Sequence, residues 1–290
     1  MSDSPDRSAV CPVCPHRCRI AEGRSGKCRA RGTRNGVVVP LNYGVVTSLA
    51  LDPIEKKPLA RFYPGSWILS AGSYGCSLNC PFCQNWEISM SDGHEYLLGE
   101  RAEENYVAPE ALADMAKRLQ PRGNIGVAFT YNEPLISYEY VVETAKKLRE
   151  NDLKVVLVTN GCVNEEIADA VLPLTDALNI DLKSFQDTVY RKVLGGDLGA
   201  VKSFIVKAAE QCHVELTCLI VPGMNDSEEE IRAMTRWIAS LPGGEEIPLH
   251  ITRFFPRYKM LDRKPTERAE ILKLVGIAHQ QLKYVYPGNI

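Results

Sequence analysis

The chain has 290 residues, 45% hydrophobic and 24% charged, with a formal net charge of −2 at pH 7. That balance excludes collagen-like, disordered and coiled-coil chains, and a charge near zero gives no global attraction to nucleic acid or to a membrane surface. No run approaches the length of a membrane span and residues 1–7 lack the apolar core of a signal peptide, so a cytoplasmic protein without membrane association is expected.

Residues 1–66 read as a small Cys-rich N-terminal module. Between Cys11 and Arg34 there are seven basic residues and one acidic residue, periodicity is weak, and two short strand-like runs follow at 37–39 and 45–51. From 67 to 290 the pattern changes. Apolar β-branched runs predict strands at 67–73, 125–130, 154–159, 177–182, 214–221 and 247–252. Amphipathic stretches predict helices at 109–119, 135–149, 165–172, 201–211, 228–241 and 265–282. Six strand–helix units imply an α/β fold, a parallel sheet covered by helices. Periodicity does not choose between a doubly wound sheet and a partial (β/α)6 TIM-like barrel.

Ten cysteines in a chain with no export signal point away from five disulfides, because cytosolic reductants keep thiols reduced. Cys76, Cys80 and Cys83 form a C-x3-C-x2-C motif directly after the first predicted barrel strand, at the edge where α/β proteins build their sites. Three thiolates at this spacing suit a [4Fe–4S] cluster with one iron left open. Zinc is the alternative, but a structural zinc takes four ligands, and His94 is the nearest candidate downstream. Cys11, Cys14, Cys18 and Cys28 supply four thiolates within 18 residues. They suit structural zinc or a second iron–sulfur cluster, with a disulfide pair as the alternative, and the nearby Arg17, Arg19, Lys27, Arg29 and Arg31 suit its negative charge. That basic run lacks the interleaved aromatics of a nucleic-acid surface. Cys162, Cys212 and Cys218 read as small buried hydrophobes, and His16, His94, His213 and His279 as structural.

The C-x3-C-x2-C motif, with Phe82 before its last cysteine, resembles the signature of the radical S-adenosylmethionine (SAM) superfamily. Cys11–Cys28, the segment 52–58, Tyr63-Pro-Gly65, Cys83-Gln-Asn-Trp86 and Tyr131-Asn-Glu-Pro134 extend the resemblance to the AmmeMemoRadiSam-system radical SAM enzymes, relatives of the pyruvate formate-lyase activating enzymes. The superfamily resemblance implies a partial (β/α)6 barrel, a [4Fe–4S] cluster on Cys76, Cys80 and Cys83, and SAM cleaved reductively to a 5′-deoxyadenosyl radical. It also implies an electron donor such as flavodoxin or ferredoxin, and the family name suggests Memo-type and AMMECR-type partners.

Carried over by position, Asn132 and Glu133 meet the SAM amino group, although the superfamily's Gly-Gly pair is replaced here. The resemblance likewise places Thr159, Asn160, Asp181 and Lys183 near the ribose and carboxylate, and Val221 and Asn225 near the adenine. His250, Arg253 and Arg257 sit near the expected barrel mouth, with His250 as a cofactor-site candidate. Ser227-Glu-Glu-Glu230 is a capping box, not a metal site. Three functions compete: a radical SAM enzyme acting on a small molecule or residue, a glycyl-radical-enzyme activase, and a non-catalytic iron–sulfur or zinc module. Two features weigh against an activase: the absence of a ferredoxin-like insert after Cys83, and the long cysteine-bearing preface.

Overall fold

The computed structural model describes residues 8–97 and 105–290. Two short antiparallel hairpins come first, β1 (Ser8–Val10) with β2 (Arg19–Ala21) and β3 (Arg31–Arg34) with β4 (Val37–Pro40). The next eight strands form one sheet in strict chain order: β5 (Ser48–Pro53), β6 (Trp67–Gly72), β7 (Asn124–Phe129), β8 (Lys154–Thr159), β9 (Ala177–Asp181), β10 (His213–Ile220), β11 (Leu249–Arg253) and β12 (Val285–Gly288). Strands β6 to β12 are parallel; β5 pairs antiparallel with β6.

This order decides what periodicity left open. A doubly wound sheet reverses direction at a switch point; here every neighbour in space is the next strand in sequence, so the sheet coils one way as a barrel. No pairing joins β5 to β12 among the described residues, which leaves the barrel open. The partial (β/α)6 TIM-like barrel implied by the resemblance is therefore the observed architecture, with an extra strand at each end.

The crossovers are helical. After the short α1 (Trp86–Ser89) and α2 (His94–Leu97) come α3 (Pro109–Arg118), α4 (Tyr138–Arg149), α5 (Glu165–Val171), the single turn α6 (Asp187–Val189), α7 (Leu198–Ala209), α8 (Glu228–Ala239) and α9 (Arg268–Ala278). Their starts follow local chemistry. Asp197 accepts from the Ala200 N–H at 2.9 Å, which starts α7 three residues before its predicted onset. Ser227 caps α8 through the Glu230 N–H, but the reciprocal half of the capping box is missing: the Glu230 carboxylate instead accepts from Ser184 Oγ and the Phe185 N–H, both at 2.6 Å. Among the described residues no helix is long and apolar enough to cross a membrane.

Alternate residues of the strands feed two cores. Leu69, Val127, Val155, Leu157 and Leu178 face the helices, packing with Leu112, Val141 and Ala145. Their neighbours Ile68, Ala128, Val156 and Ala177 form a separate cluster with Ile54, Leu59 and Phe62. Residues 54–62 thus plug the barrel interior, although the sequence reading groups them with the N-terminal module; they carry no periodicity that would reveal this. Polar ties hold the plug: Asn179 Nδ2 donates to the Pro58 carbonyl at 2.8 Å, and Glu215 accepts from the Ala60 and Arg61 N–H groups at 2.9 and 2.7 Å. Gly126 on β7 is required by close approach, since a Cβ there would lie 1.9 Å from the Lys154 carbonyl oxygen.

Candidate active site

Above the plug, the C-terminal strand ends surround a cavity of about 690 Å3. The loop after β6 contributes Cys76, Cys80 and Cys83, β7 leads into Asn132 and Glu133, β8 ends in Thr159 and Asn160, β9 in Asp181 followed by Lys183, and β11 carries His250. Ten of the residues singled out from the sequence therefore meet in one chamber. Val221 and Asn225 do not line it. Both are buried, and the Asn225 side chain is used up, accepting from the Val221 N–H at 2.7 Å and donating to the Leu219 carbonyl in its own turn and to the Lys183 carbonyl after β9. Thr217 and Leu219 of the same strand face the cavity instead. Arg253 and Arg257 are likewise not among its walls, and the Arg253 guanidinium donates to the Thr266 carbonyl.

Glu133 is the electrostatic centre of one wall. It is 1% exposed, and its carboxylate accepts from Thr159 Oγ1 at 2.6 Å, the Asn160 N–H at 2.8 Å and the Leu135 N–H at 3.0 Å. Burial pushes its pKa up to about 7 and these three donors oppose the shift. Across the chamber, Lys183 Nζ lies 2.8 Å from Asp181 Oδ2. Burial works against charge on Lys183, but Asp181 and then Cys80 more than offset it and raise its pKa. Asn132 is a framing residue: its Oδ1 accepts from the Ser73 N–H at 3.0 Å, and its Nδ2 donates to the Tyr74 and Gly75 carbonyls at 3.1 Å. It thereby ties the cysteine loop to the end of β7.

Tyr131 stands where the resembling superfamily has glycine, and its φ of 74° lies in the left-handed region. A non-glycine residue there costs about 1 kcal/mol. The site holds it in place: the Tyr131 hydroxyl donates to Asp52 at 2.8 Å, Lys57 Nζ sits 4.6 Å from the ring centroid, and the Tyr131 carbonyl accepts from Asn85 Nδ2 at 2.8 Å. Lys57 is itself buried and paired with Asp52 at 2.9 Å. This network and Glu215 escaped the sequence reading. A lone carboxylate inside the apolar strand β10 was the available signal, because a buried charge requires partners. Glu215 Oε2 meets His250 Nε2 at 2.7 Å, and Oε1 meets His213 Nε2 at 2.9 Å. His250 is thus a wall residue anchored from below, and His213, read as structural, shares the same anchor.

The three motif cysteines fit an iron–sulfur cluster by the chemistry of their donors. Burial raises the Cys76 thiol well above its usual range, with Glu133 adding to the effect, and burial pushes Cys80 up to about 12. Thiols ligate a metal as thiolates, so a cluster bound here would displace these protons. The Leu78 N–H points to Cys76 Sγ at 3.4 Å and Asn160 Nδ2 at 3.6 Å, donors suited to a ligating sulfur.

A family model for the radical SAM superfamily matches residues 71–237. An uncharacterized protein of Methanocaldococcus jannaschii is 39% identical over 289 residues, covering 98% of this chain and 82% of its own length. The pyruvate formate-lyase-activating enzyme of Clostridium pasteurianum is 26% identical over 181 residues, 60% of this chain and 71% of that enzyme. In fold alone, the crystal structure of Streptococcus suis SuiB bound to S-adenosylmethionine is similar, with a TM-score of 0.55 at 14% identity over 77% of this chain and 52% of that one. Superfamily members are enzymes that use a [4Fe–4S] cluster and SAM. The matched family model covers more than half of the chain, including the cysteine loop and strands β7 to β10 of this chamber, and on it the chain belongs to the radical SAM superfamily.

Proposed function

We propose that Cys76, Cys80 and Cys83 hold the [4Fe–4S] cluster, that SAM occupies the adjoining wall, and that the remaining chamber receives a substrate from which hydrogen is abstracted. The observation that carries this reading is the gathering of the three thiols, Glu133 and the Asp181–Lys183 pair around one cavity of about 690 Å3. Bound there, the cluster and SAM supply an electron and a 5′-deoxyadenosyl radical. The chain supplies position and charge. Glu133, held by three donors, presents negative charge to the SAM ammonium group, and Lys183 offers a cation to its carboxylate, since charge-assisted hydrogen bonds are the strong ones. Thr159 and Asn160 orient Glu133 and so act as positioning residues. Pro58 and Ala60 of the plug line the chamber from below. A one-electron donor of the flavodoxin or ferredoxin type completes the system, and Memo-type or AMMECR-type partners follow from the AmmeMemoRadiSam resemblance.

A glycyl-radical activase is the second reading, favoured by the similarity to the Clostridium enzyme. One experiment separates the two and tests both. Reconstituted protein, SAM and dithionite are incubated anaerobically with a lysate of deuterium-grown host cells, split by ultrafiltration into small molecules and protein. Deuterium in the released 5′-deoxyadenosine from the small-molecule fraction supports the first reading, and from the protein fraction the second. Absence of SAM cleavage with a full cluster overturns both.

A further inference from the structure

The run between the first two motif cysteines is held from outside the chamber. The Cys76 N–H donates to the Cys28 carbonyl at 3.3 Å, His16 Nε2 meets the Ser77 carbonyl at 3.1 Å, and the Arg29 guanidinium donates to Asn79 Oδ1 at 2.9 Å. All three partners belong to the N-terminal module, and neither His16 nor Arg29 lines the chamber. The module is itself tied to the barrel. Buried Arg31 pairs with Glu139 of α4 at 2.7 Å, and the Val13 carbonyl accepts from the Asn164 N–H at 3.0 Å. A further ring of bonds closes behind the loop: the Asn79 N–H donates to the Leu194 carbonyl at 2.8 Å, and Lys27 Nζ reaches the neighbouring Gly195 carbonyl at 3.0 Å. Asn79 is therefore held by its backbone and by its side chain.

Arg29 is a costly residue where it stands. Its φ of 69° lies in the left-handed region, which favours glycine. Its Nη1 is buried and, among the described residues, has no hydrogen-bond partner. The one hydrogen bond that its side chain makes among these residues is to Asn79. Backbone strain persists only where the surroundings hold it, and it gathers at functional sites. Glycine would relieve both costs, so the bond to Asn79 is what arginine adds here.

We infer that Arg29 is a positioning residue for the cluster site, fixing the Cys76–Cys80 run through Asn79. The inference rests on the proposed placement of the cluster on Cys76, Cys80 and Cys83. Groups that orient the ligands of a metal centre set how tightly it is held, even though they never touch it. His16, read from sequence as structural, holds the same run at Ser77, and Ser77 Oγ accepts from Asn160 Nδ2 at 3.2 Å on the chamber side. The run is thus gripped from the module and from the end of β8 alike.

The test is the rate at which the reconstituted full-length chain releases iron to excess ferrous chelator, in wild type, Arg29→Gly, Asn79→Leu and the double variant. Iron at this site is the share that Cys80→Ala, reconstituted alike, fails to take up. Arg29→Gly should release it about 10-fold faster or more, while the urea midpoint of its metal-stripped form stays at or above the wild-type value. Asn79→Leu should do the same, and the double variant no more than either, since both substitutions break one bond. Arg17→Gly relieves a left-handed φ of 43° in the same module, but the Arg17 side chain pairs with Glu166 and not with the cysteine loop, so this variant should release iron at the wild-type rate. Wild-type release from either Arg29→Gly or Asn79→Leu overturns the inference. So does a double variant whose effects add, or faster release matched by a fallen urea midpoint, the mark of a merely structural tie. If Arg29→Gly fails to fold, Asn79→Leu decides by the same rates. A wild-type chain that takes up no more iron than Cys80→Ala overturns the proposed cluster placement and this inference with it, whereas unchanged rates from a full site overturn the inference alone.

Discussion

Glu215 offers a test of how the barrel floor is held. Its side chain is fully buried, and its two oxygens accept from His213, His250 and the Ala60 and Arg61 N–H groups. Burial by itself would raise its pKa; these partners reverse that and hold it down at about 2, against an ordinary 4.5. At 1.36 kcal/mol per unit, the shift corresponds to about 3 kcal/mol of stability at neutral pH. Glu215→Gln keeps the shape, removes the charge and turns one acceptor into a donor facing donors. Urea unfolding at pH 7 should show a loss of about 3 kcal/mol, a midpoint about 1 M lower for a slope near 3 kcal/mol/M. The sign with pH is fixed. The folded-state value lies below the unfolded one, so the stabilisation is complete above about 4.5 and is lost as pH falls from there toward 2. Circular dichroism of both metal-stripped proteins should therefore show the gap closing over that interval. A variant within about 0.5 kcal/mol of wild type at pH 7, or a gap that widens on acidification, would refute the reasoning.

Two further substitutions probe the chamber and its support. Glu133→Gln removes the charge but not the size of the wall carboxylate, and should weaken SAM binding about 10- to 100-fold, read by equilibrium dialysis, while the iron content stays at the wild-type level. Gly75→Ala places a Cβ 2.6 Å from the Cys28 carbonyl oxygen and 2.8 Å from the Ala30 Cβ, at a φ of 84°. Thermal unfolding should register a loss of about 2 kcal/mol or more, because both the left-handed backbone and the close approach to the N-terminal cysteine loop are violated.

The six strand–helix units were legible because their apolar residues recur at the right periods, and helix boundaries fell within a few residues. What escaped is non-local. Barrel or doubly wound sheet depends on strand order, which no local pattern encodes. The last strand, β12, is four residues long and contains Pro287, so it carries little strand signal. Ile54, Leu59 and Phe62 plug the barrel because of where the chain passes, not because of a period. In the site, residues at strand ends were singled out because the family resemblance maps onto the polar segments that follow the apolar runs; on their own those segments read equally as turns and rim ion pairs. The roles of Glu215 and Asp52 were overlooked because the partners that fix them in the fold, His250 with the Ala60 and Arg61 N–H groups for Glu215 and Tyr131 for Asp52, lie far away in sequence. Val221 and Asn225 show the reverse failure, since a polar strand end can also be consumed by its own turn.

The central claim is that the chamber cleaves SAM through the Cys76, Cys80 and Cys83 site. Its most direct test is single-turnover chromatography of anaerobically reconstituted protein with SAM and dithionite, beside Cys80→Ala. The account predicts 5′-deoxyadenosine and methionine in equal amounts from the wild-type chain and none above background from the variant. Equal yields from both proteins, or no product from a wild-type chain with this cluster full, would contradict it.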